Sequence, residues 1–389
     1  MTVWLGFKNE LFDLKEKNLY RSLEVLNSSN SATIQIGKKS FLNFSSNNYL
    51  GLSTHPKVIE AAKSALEKWG AGSGASRLIS GNLGIHEELE KELAGFKKEE
   101  AALIFSSGYL ANLGAVTSLL DERDVVLVDR LNHASLVDAA RLSKAKLWVY
   151  PHRDVAVLSK LLSRAKNFRR RLVLTDAYFS MDGDVAPLDK LLEVCRDHDT
   201  ILMIDEAHST GVYGKTGAGL SEHFGLQGQM DIVMGTLSKA LGSVGGYIAG
   251  RRILREYLVN RSREFIYTTA PAPAASAAAL QAVKIVQKSP DLRDKLWRNI
   301  HSVREKLTEL GFDLMGSEGP VIPVLIGGTK KVLEAKELLL KKGIFAPAIR
   351  PPTVSKGTDR IRISLMATHT KAHLEELVAI LKKVQKHLL

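Results

Sequence analysis

The chain has 389 residues, of which 45% are hydrophobic, and a formal net charge of +12. This length and composition allow a large buried core and favour two or more domains. The single cysteine, Cys195, excludes an intramolecular disulfide and a CxxC metal or redox motif, and we expect it to be a buried thiol in a helix.

The N-terminal sequence MTVWLGFKNELFDLKEKN is too charged to contain the apolar core of a signal peptide. The alanine-rich stretch PAPAASAAALQAV is too short to span a bilayer. We therefore expect a cytoplasmic protein with no membrane partner. The basic residues are dispersed over predicted helices without a nucleic-acid-binding motif, so a nucleic-acid partner is not expected. A basic surface is better suited to attracting an acidic acyl carrier.

The pattern of apolar runs predicts an α/β fold. Residues 1–50 contain an amphipathic helix (ELFDLKEKNLYRSLEVL) and a hairpin that turns at Gly37. Residues 51–285 alternate helical segments with the apolar runs AALIFSS, DVVLVD, KLWVY, RLVLTDA, TILMIDEA, DIVMGT and GGYIAG. Such runs indicate a large domain with a mainly parallel sheet covered by helices. A long helical region covers about 272–310, and residues 286–389 are predicted to form a small α+β domain.

Three residues with complementary chemistry follow two of these runs. Asp205 and His208 stand at the end of ILMIDEAH, and Lys239 follows DIVMGT. Ligands of parallel sheets bind beyond the carboxyl ends of the strands, so these side chains should lie close together. A lysine that forms a Schiff base, an acid that keeps a ring nitrogen protonated and a histidine beside the ring oxygen are what pyridoxal 5′-phosphate (PLP) requires.

Other segments supply candidate cofactor contacts. In SSGYLANLG, Ser107, Gly108 and Tyr109 begin a helix whose N-terminus suits a phosphate, and Thr236 and Ser238 offer hydroxyls to the same group. His133 would stack on the ring and Ser180 would bond its oxygen. The remaining histidines have no ligand-like spacing, so no metal is expected.

One glycine-rich segment leaves a different enzyme class open. In GSGAS, residues 72–76, Arg77 replaces the third glycine of a dinucleotide-binding motif. The segment therefore favours a flexible loop near the ligand. A nicotinamide-dependent oxidoreductase and a basic nucleic-acid-binding module stay as alternatives from other functional classes.

Several blocks together carry a family resemblance: NFSSNNYLGL, GSGASRLISGN, SSGYLANLG, NHASLVDAAR, FSMDGD, IDEAHSTGVYG, GTLSKALGSVGG, IYTTAPAP and RIRISLMATHT. In this order they resemble the α-oxoamine synthases, which are PLP enzymes of fold type I. The resemblance implies a large PLP-binding domain, a small C-terminal domain and a homodimer. It also implies that Thr268 and Thr269 reach the cofactor phosphate of the partner subunit.

The segment AIRPPTV indicates a particular reaction within this family. The resemblance implies a decarboxylative condensation of L-alanine with a pimeloyl thioester, carried on coenzyme A or on acyl carrier protein. A condensation of glycine with acetyl-CoA is the alternative. Lys239, His133, Asp205 and His208 would be catalytic. The substrate contacts would be Arg21, Asn47, Ser76, Arg350 and Thr353, with Arg350 orienting the carboxylate of the amino acid.

Overall fold

The seven apolar runs form the strands of one central sheet in the computed structural model, which describes residues 3–388. Hydrophobic residues occupy successive positions in these runs because most of the strands are buried on both faces. The strands are β3 (Ala101–Phe105), β4 (Val125–Asp129), β5 (Lys146–Tyr150), β6 (Arg171–Asp176), β7 (Ile201–Asp205), β8 (Ile232–Thr236) and β9 (Gly246–Gly250).

The sheet has the strand order β3-β9-β8-β7-β6-β4-β5. Strands β4 to β8 pair in parallel, whereas β9 is antiparallel to both β3 and β8. Register places Asp176 of β6 opposite Asp205 of β7. The predicted mainly parallel sheet is confirmed.

Helices cover this sheet. Leu103 and Val126 of the strands share a buried core with Ala115 and Leu136, which lie on two of the helices. Cys195 is buried in a helix, as expected. The helices are α2 (Pro56–Trp69), α3 (Gly84–Lys97), α4 (Gly108–Leu119), α5 (Ala134–Leu142), α6 (Val155–Arg164), α7 (Leu188–Asp197), α8 (Leu220–His223), α9 (Arg252–Arg261), α10 (Arg263–Ile266) and α11 (Pro273–Lys288).

Two small sheets lie outside this central sheet. One contains β1 (Thr33–Ile36), β2 (Lys39–Asn43) and β11 (Ile344–Phe345). The other contains β10 (Val321–Leu325), β12 (Ala348–Ile349) and β13 (Arg360–Ser364). The associated helices are α1 (Val3–Glu16), α12 (Pro290–Glu309), α13 (Thr329–Lys341) and α14 (Lys371–Leu388).

The first helix ends earlier than the sequence-based expectation, and the predicted helical region over about 272–310 is present but divided. The first helix ends at Glu16, well before the end of the predicted segment, because Asn18 adopts a left-handed conformation (φ 55°) that terminates a helix. The long helical region over 272–310 is two helices, since Pro290 begins α12 after the break at Ser289. The hairpin turn at Gly37 is confirmed, with φ 59°.

The contacts divide the chain into two units. The sheet unit contains residues 47–180 and 184–296. The other unit contains the chain up to Ser46, residues 181–183 and the chain from Trp297 onward. This division groups the N-terminal hairpin with the C-terminal α+β segment, whereas the sequence analysis treats residues 1–50 and 286–389 as separate parts. Within residues 3–388, no helix combines the length and hydropathy that a membrane span requires.

Candidate active site

The carboxyl ends of neighbouring parallel strands bring polar side chains to one edge of the sheet. Strand β7 ends at Asp205 and strand β8 at Thr236. A cavity of about 190 Å³ opens at this edge. Its lining includes seven residues expected from the sequence: Gly108, Tyr109, His133, Asp205, His208, Thr236 and Lys239. The other lining residues are Asn112, Ser135, Asp176, Ala207 and Met234.

Asp205 is buried and held at both carboxylate oxygens. Its Oδ1 accepts a hydrogen bond from the backbone N–H of Ala207 at 2.8 Å, and its Oδ2 accepts from Asn112 Nδ2 at 2.8 Å. Two donors stabilise the ionised form of a carboxylate and fix its direction. The group can therefore present a fixed negative charge to a cationic nitrogen in the cavity.

Asp176 is a cavity residue that the sequence analysis missed. Its Oδ2 accepts the backbone N–H of His133 at 2.7 Å. Burial and the neighbouring charge of Asp205 raise the pKa of Asp176 well above its ordinary value. The signal was present in the sequence, because Asp176 ends RLVLTD as Asp205 ends ILMID.

His208 lies in the turn after β7 and contacts Tyr49. The Tyr49 hydroxyl is 2.6 Å from His208 Nδ1 and also donates to Asn47 Oδ1 at 3.3 Å. The turn is closed by a bond from Thr210 N–H to the Glu206 carbonyl at 2.9 Å. Tyr49 thus connects the NFSSNNYLGL block to this histidine, and the sequence analysis did not single it out.

Lys239 lies in the loop that follows β8 and is half-buried. The loop is closed by bonds from Leu237 N–H to the Gly245 carbonyl and from Gly242 N–H to the Lys239 carbonyl, both 2.9 Å. Gly242 has φ 63°, and a Cβ there would overlap the backbone of Ser53. The glycine-rich sequence after the lysine therefore shapes the turn that presents it.

The N-terminus of α4 forms a cradle suited to an anion. Ser107 caps the helix by accepting the Leu110 N–H at 3.1 Å, and the first N–H groups of a helix have no helical acceptor. A Cβ at Gly108 would approach Met234 Cε to 2.9 Å and Thr236 Oγ1 to 3.4 Å. A glycine keeps this space open beside the Thr236 hydroxyl. Ser238 belongs to the same loop, where its Oγ donates to the Gly245 carbonyl.

His133 caps helix α5 with its ring. Its Nδ1 accepts the backbone N–H of Ser135 at 3.2 Å and lies 2.8 Å from Ser135 Oγ. Desolvation by the surrounding protein lowers the pKa of His133, although part of the ring is exposed to solvent. The opposite charge of Asp205 only partly offsets this effect. The ring is therefore predominantly neutral near pH 7.

A second cavity, of about 460 Å³, is lined by three other residues that the sequence analysis expected to bind cofactor or substrate. Ser76, Thr268 and Thr269 line it together with Leu78, Ile79, Ile266 and Tyr267. Three of these apolar side chains are exposed: Leu78, Ile79 and Tyr267. Ser180 lies in the loop after β6 and, like Asn47 and Ser238, is not among the residues that line the 190 Å³ cavity.

The remaining expected substrate contacts, Arg21, Arg350 and Thr353, belong to the other unit. The Arg350 guanidinium donates to the backbone carbonyls of Asn18 at 2.8 Å and Tyr20 at 2.9 Å. These bonds hold the side chain by two of its five N–H groups. The substrate roles of these three residues stay predictions.

The GSGAS segment does not form a dinucleotide-binding turn. It lies in an irregular stretch between α2 and α3, so it follows a helix and not a strand. Arg77 is buried and donates to Glu90 Oε1 at 2.8 Å, so it anchors the loop. This placement argues against the nicotinamide alternative.

Comparisons with known proteins agree with the geometry. The profile of the aminotransferase class I and II family matches residues 39–381. A relative from Lysinibacillus sphaericus, named 8-amino-7-oxononanoate synthase, is 44% identical over 98% of each chain. A relative of the same name from Thermoanaerobacter pseudethanolicus is 46% identical over 98% of this chain and 97% of its own.

Solved structures give the same result. A serine palmitoyltransferase solved with a PLP internal aldimine matches with a TM-score of 0.94 at 30% identity, over 98% of this chain and 97% of that chain. An 8-amino-7-oxononanoate synthase from Francisella tularensis matches with a TM-score of 0.78 at 29% identity, over 89% of this chain and 98% of that chain. The chain belongs to the aminotransferase class I and II family and, within it, to the α-oxoamine synthases.

Proposed function

We propose that this protein is a PLP-dependent acyltransferase that makes 8-amino-7-oxononanoate, in biotin biosynthesis, from L-alanine and a pimeloyl thioester. The main support for the proposal is that Asp205, His133 and Lys239 line one cavity beside the N-terminus of α4. The choice of substrates rests on full-length relatives of that name at 44% and 46% identity.

The cavity fits the cofactor at both ends. The cradle at Gly108, with Thr236 beside it, offers N–H and hydroxyl donors to a phosphate. Asp205 supplies the anionic partner for a pyridinium nitrogen, and Lys239 supplies the amine for an aldehyde. When bound, PLP would withdraw electrons from Cα of the amino acid that is joined to it through the amine nitrogen.

Each residue of the site would have a separate role. Lys239 would hold the cofactor covalently in the resting enzyme and would take the proton from Cα of alanine. Asp205 would keep the proton on the ring nitrogen, and His208 with Ser180 would bond the ring oxygen. His133 would stack on the ring, and Arg350 would orient the alanine carboxylate. Overall, a bond forms between Cα and the acyl carbon, the C–S bond breaks to release the thiol, and the alanine carboxyl group leaves as CO₂.

A substrate panel tests this proposal. Alanine, glycine and serine are each combined with pimeloyl, acetyl and palmitoyl thioesters, and thiol and CO₂ release are measured. We expect alanine with the pimeloyl thioester to exceed every other pair by at least about tenfold, a difference of ~1.4 kcal/mol. A preference for glycine with acetyl-CoA would overturn the substrate assignment. Running pimeloyl-CoA beside pimeloyl-acyl carrier protein identifies the carrier.

The covalent role of Lys239 has its own test. Borohydride reduction of the wild-type protein with PLP, followed by peptide mapping, should place the label on Lys239. Lys239→Ala should carry no label and no turnover, whereas Lys190→Ala, which removes an exposed lysine of α7, should behave as wild type. A label on another residue of the wild-type protein would refute the assignment.

We also propose that the active protein is a homodimer in which Thr268 and Thr269 contact the phosphate bound by the partner subunit. The exposed apolar side chains of Leu78, Ile79 and Tyr267 beside these threonines support an interface at the second cavity. The threonines line that cavity and are not among the residues lining the 190 Å³ cavity of their own subunit.

A further inference from the structure

Two buried side chains connect Asp205 with His133. Asn112 Nδ2 donates to Asp205 Oδ2 at 2.8 Å and to Ser135 Oγ at 2.9 Å. Ser135 Oγ lies 2.8 Å from His133 Nδ1. Asn112 and Ser135 are 0% and 1% exposed, so water does not compete for these bonds. We call this pair the Asn112–Ser135 bridge.

The Asp205 carboxylate fixes the orientation of the Asn112 amide. An ionised carboxylate only accepts, so the Asn112 amide must turn its NH₂ group toward Asp205. The second hydrogen of that group then points to Ser135 Oγ. Asn112 Oδ1 is buried without a hydrogen-bond partner among the described residues. An orphaned acceptor costs free energy. That cost is tolerated because the reverse orientation would place Oδ1 against the Asp205 carboxylate.

The bridge also fixes the proton on the histidine. The backbone N–H of Ser135 donates to His133 Nδ1 at 3.2 Å, so this nitrogen is an acceptor. The Ser135 hydroxyl, which accepts from Asn112, therefore donates its own hydrogen to the same nitrogen. Nδ1 must therefore carry the lone pair, and the neutral ring carries its proton on Nε2.

The charged groups around the ring are consistent with a neutral histidine held in place. Desolvation is the largest effect and lowers the pKa of His133, and the positive charge of Lys239 lowers it further. Asp205 and Asp138 raise the pKa, but by less than these two effects together lower it. Asp176 acts on the backbone by accepting the His133 N–H. The backbone and the ring of His133 are thus fixed by different residues.

We propose that Asn112 and Ser135 are positioning residues that use the charge of Asp205 to hold His133 as its Nε2–H tautomer. The ring edge opposite α5 then carries a hydrogen-bond donor, as required for a contact with the acyl carbonyl of the thioester. This last use of the donor rests on the proposed function, whereas the tautomer follows from the protein alone.

Nitrogen NMR of the protein labelled with ¹⁵N-histidine tests the tautomer without cofactor or substrate. The His133 signals are assigned by their loss in His133→Gln. We expect an unprotonated Nδ1 and a protonated Nε2 in the wild type near pH 7.5. Ser135→Ala removes the hydroxyl donor to Nδ1 but keeps the backbone N–H donor, so the Nδ1–H tautomer should gain population without replacing the Nε2–H form. Ser143→Ala is the matched control, because Ser143 is a buried serine at the end of α5 whose hydroxyl bonds to backbone groups of Ala140 and Ala145.

Kinetics supply the second arm of the test. Ser135→Ala and Asn112→Leu should lower kcat at least about tenfold, with a smaller change in KM for alanine. Both should also alter the pH–rate profile. Ser143→Ala should leave kcat and the pH–rate profile unchanged. If Asn112→Leu fails to fold, Ser135→Ala decides alone. A protonated Nδ1 in the wild type, or unchanged His133 signals in Ser135→Ala, would overturn the proposal. The expected signals in a protein that does not condense alanine would refute only the proposed function.

Discussion

Asp205 is the residue whose charge has the largest consequences. It is buried, it is bonded at both oxygens, and through Asn112 it orients a second side chain of the cavity. A carboxylate in this position can hold a proton on a ring nitrogen because the surrounding protein strengthens the interaction relative to water. An amide of the same shape cannot do so.

Replacing Asp205 by Asn is therefore expected to lower kcat by about 10²–10³-fold, the range typical of losing one fixed electrostatic group in an active site. The protein should still fold, because Asn keeps the volume and an acceptor oxygen. Steady-state thiol release with alanine measures the effect. Asp189→Asn, on the exposed side of α7, is the control and should retain wild-type turnover. A kcat within threefold of wild type would exclude the proposed role of Asp205.

Among the elements, α3 and the turn after β7 are joined by a buried ion pair. Lys97 Nζ and Glu206 Oε2 are 2.5 Å apart, and both side chains are fully buried. Lys97 also donates to Thr210 Oγ1 at 2.8 Å and to the carbonyl of Ala218. Glu206 directly follows Asp205, so the ion pair holds the segment that carries Asp205 and His208.

Removing one partner leaves a buried charge without compensation, which costs about 3–5 kcal/mol. Lys97→Met should lower the free energy of unfolding by this amount, and adding Glu206→Gln should restore part of it. Urea unfolding measures both values. Lys91→Met, which removes an exposed lysine of α3, should change stability by less than about 0.5 kcal/mol. Equal stability of Lys97→Met and wild type would contradict the assignment.

A histidine links strand β4 to the loop after β6. His152 Nδ1 is 3.0 Å from Asp129 Oδ1, and its Nε2 is 2.8 Å from Asp184 Oδ2. Desolvation lowers the pKa of His152, but the bonds to the two carboxylates outweigh it and raise the pKa from 6.5 to about 9. Protonated His152 therefore stabilises the folded protein.

Because the folded pKa is raised, this stabilisation is complete below about pH 6.5 and declines as the pH rises, until it is lost above about pH 9. The contribution is at most about 3 kcal/mol. Urea unfolding at pH 6, 7.5 and 9.5 measures it, with His152→Gln as the variant that lacks this proton. If wild type and His152→Gln lose stability equally over this range, His152 is not the group responsible.

For the whole molecule, the proposed dimer makes a prediction that a monomer cannot satisfy. Lys239→Ala and a Thr268→Ala, Thr269→Ala double variant are each expected to have low activity. In a mixed dimer, one site combines the intact Lys239 of one subunit with the intact threonines of the other. Mixing the two variants under exchange conditions should recover up to about a quarter of wild-type activity, as statistical pairing gives.

The mixture is compared with each variant alone at the same total concentration. Activity no greater than the mean of the two separate variants would show that the threonines do not act across an interface. Introducing Ile79→Asp, a charge at the exposed apolar surface beside the threonines, should lower the dimer fraction in sedimentation experiments.

The sequence by itself determined the strands, because seven short apolar runs separated by helical segments have few alternatives to a covered parallel sheet. It also determined that Asp205, His208 and Lys239 lie close together, since residues at the carboxyl ends of neighbouring parallel strands lie at the same edge of the sheet. The family blocks indicated the chemistry for a related reason, because each block includes a loop or the end of a strand or helix.

Only the tertiary structure decided which polar side chains bond one another. Asn112 lies inside a helix, Tyr49 is remote in sequence from His208, and Lys97 is remote from Glu206. Their roles depend on packing between distant elements, and no local pattern encodes that packing. The early end of α1 is a local exception, because a single left-handed residue, Asn18, outweighed an amphipathic pattern that continued past it.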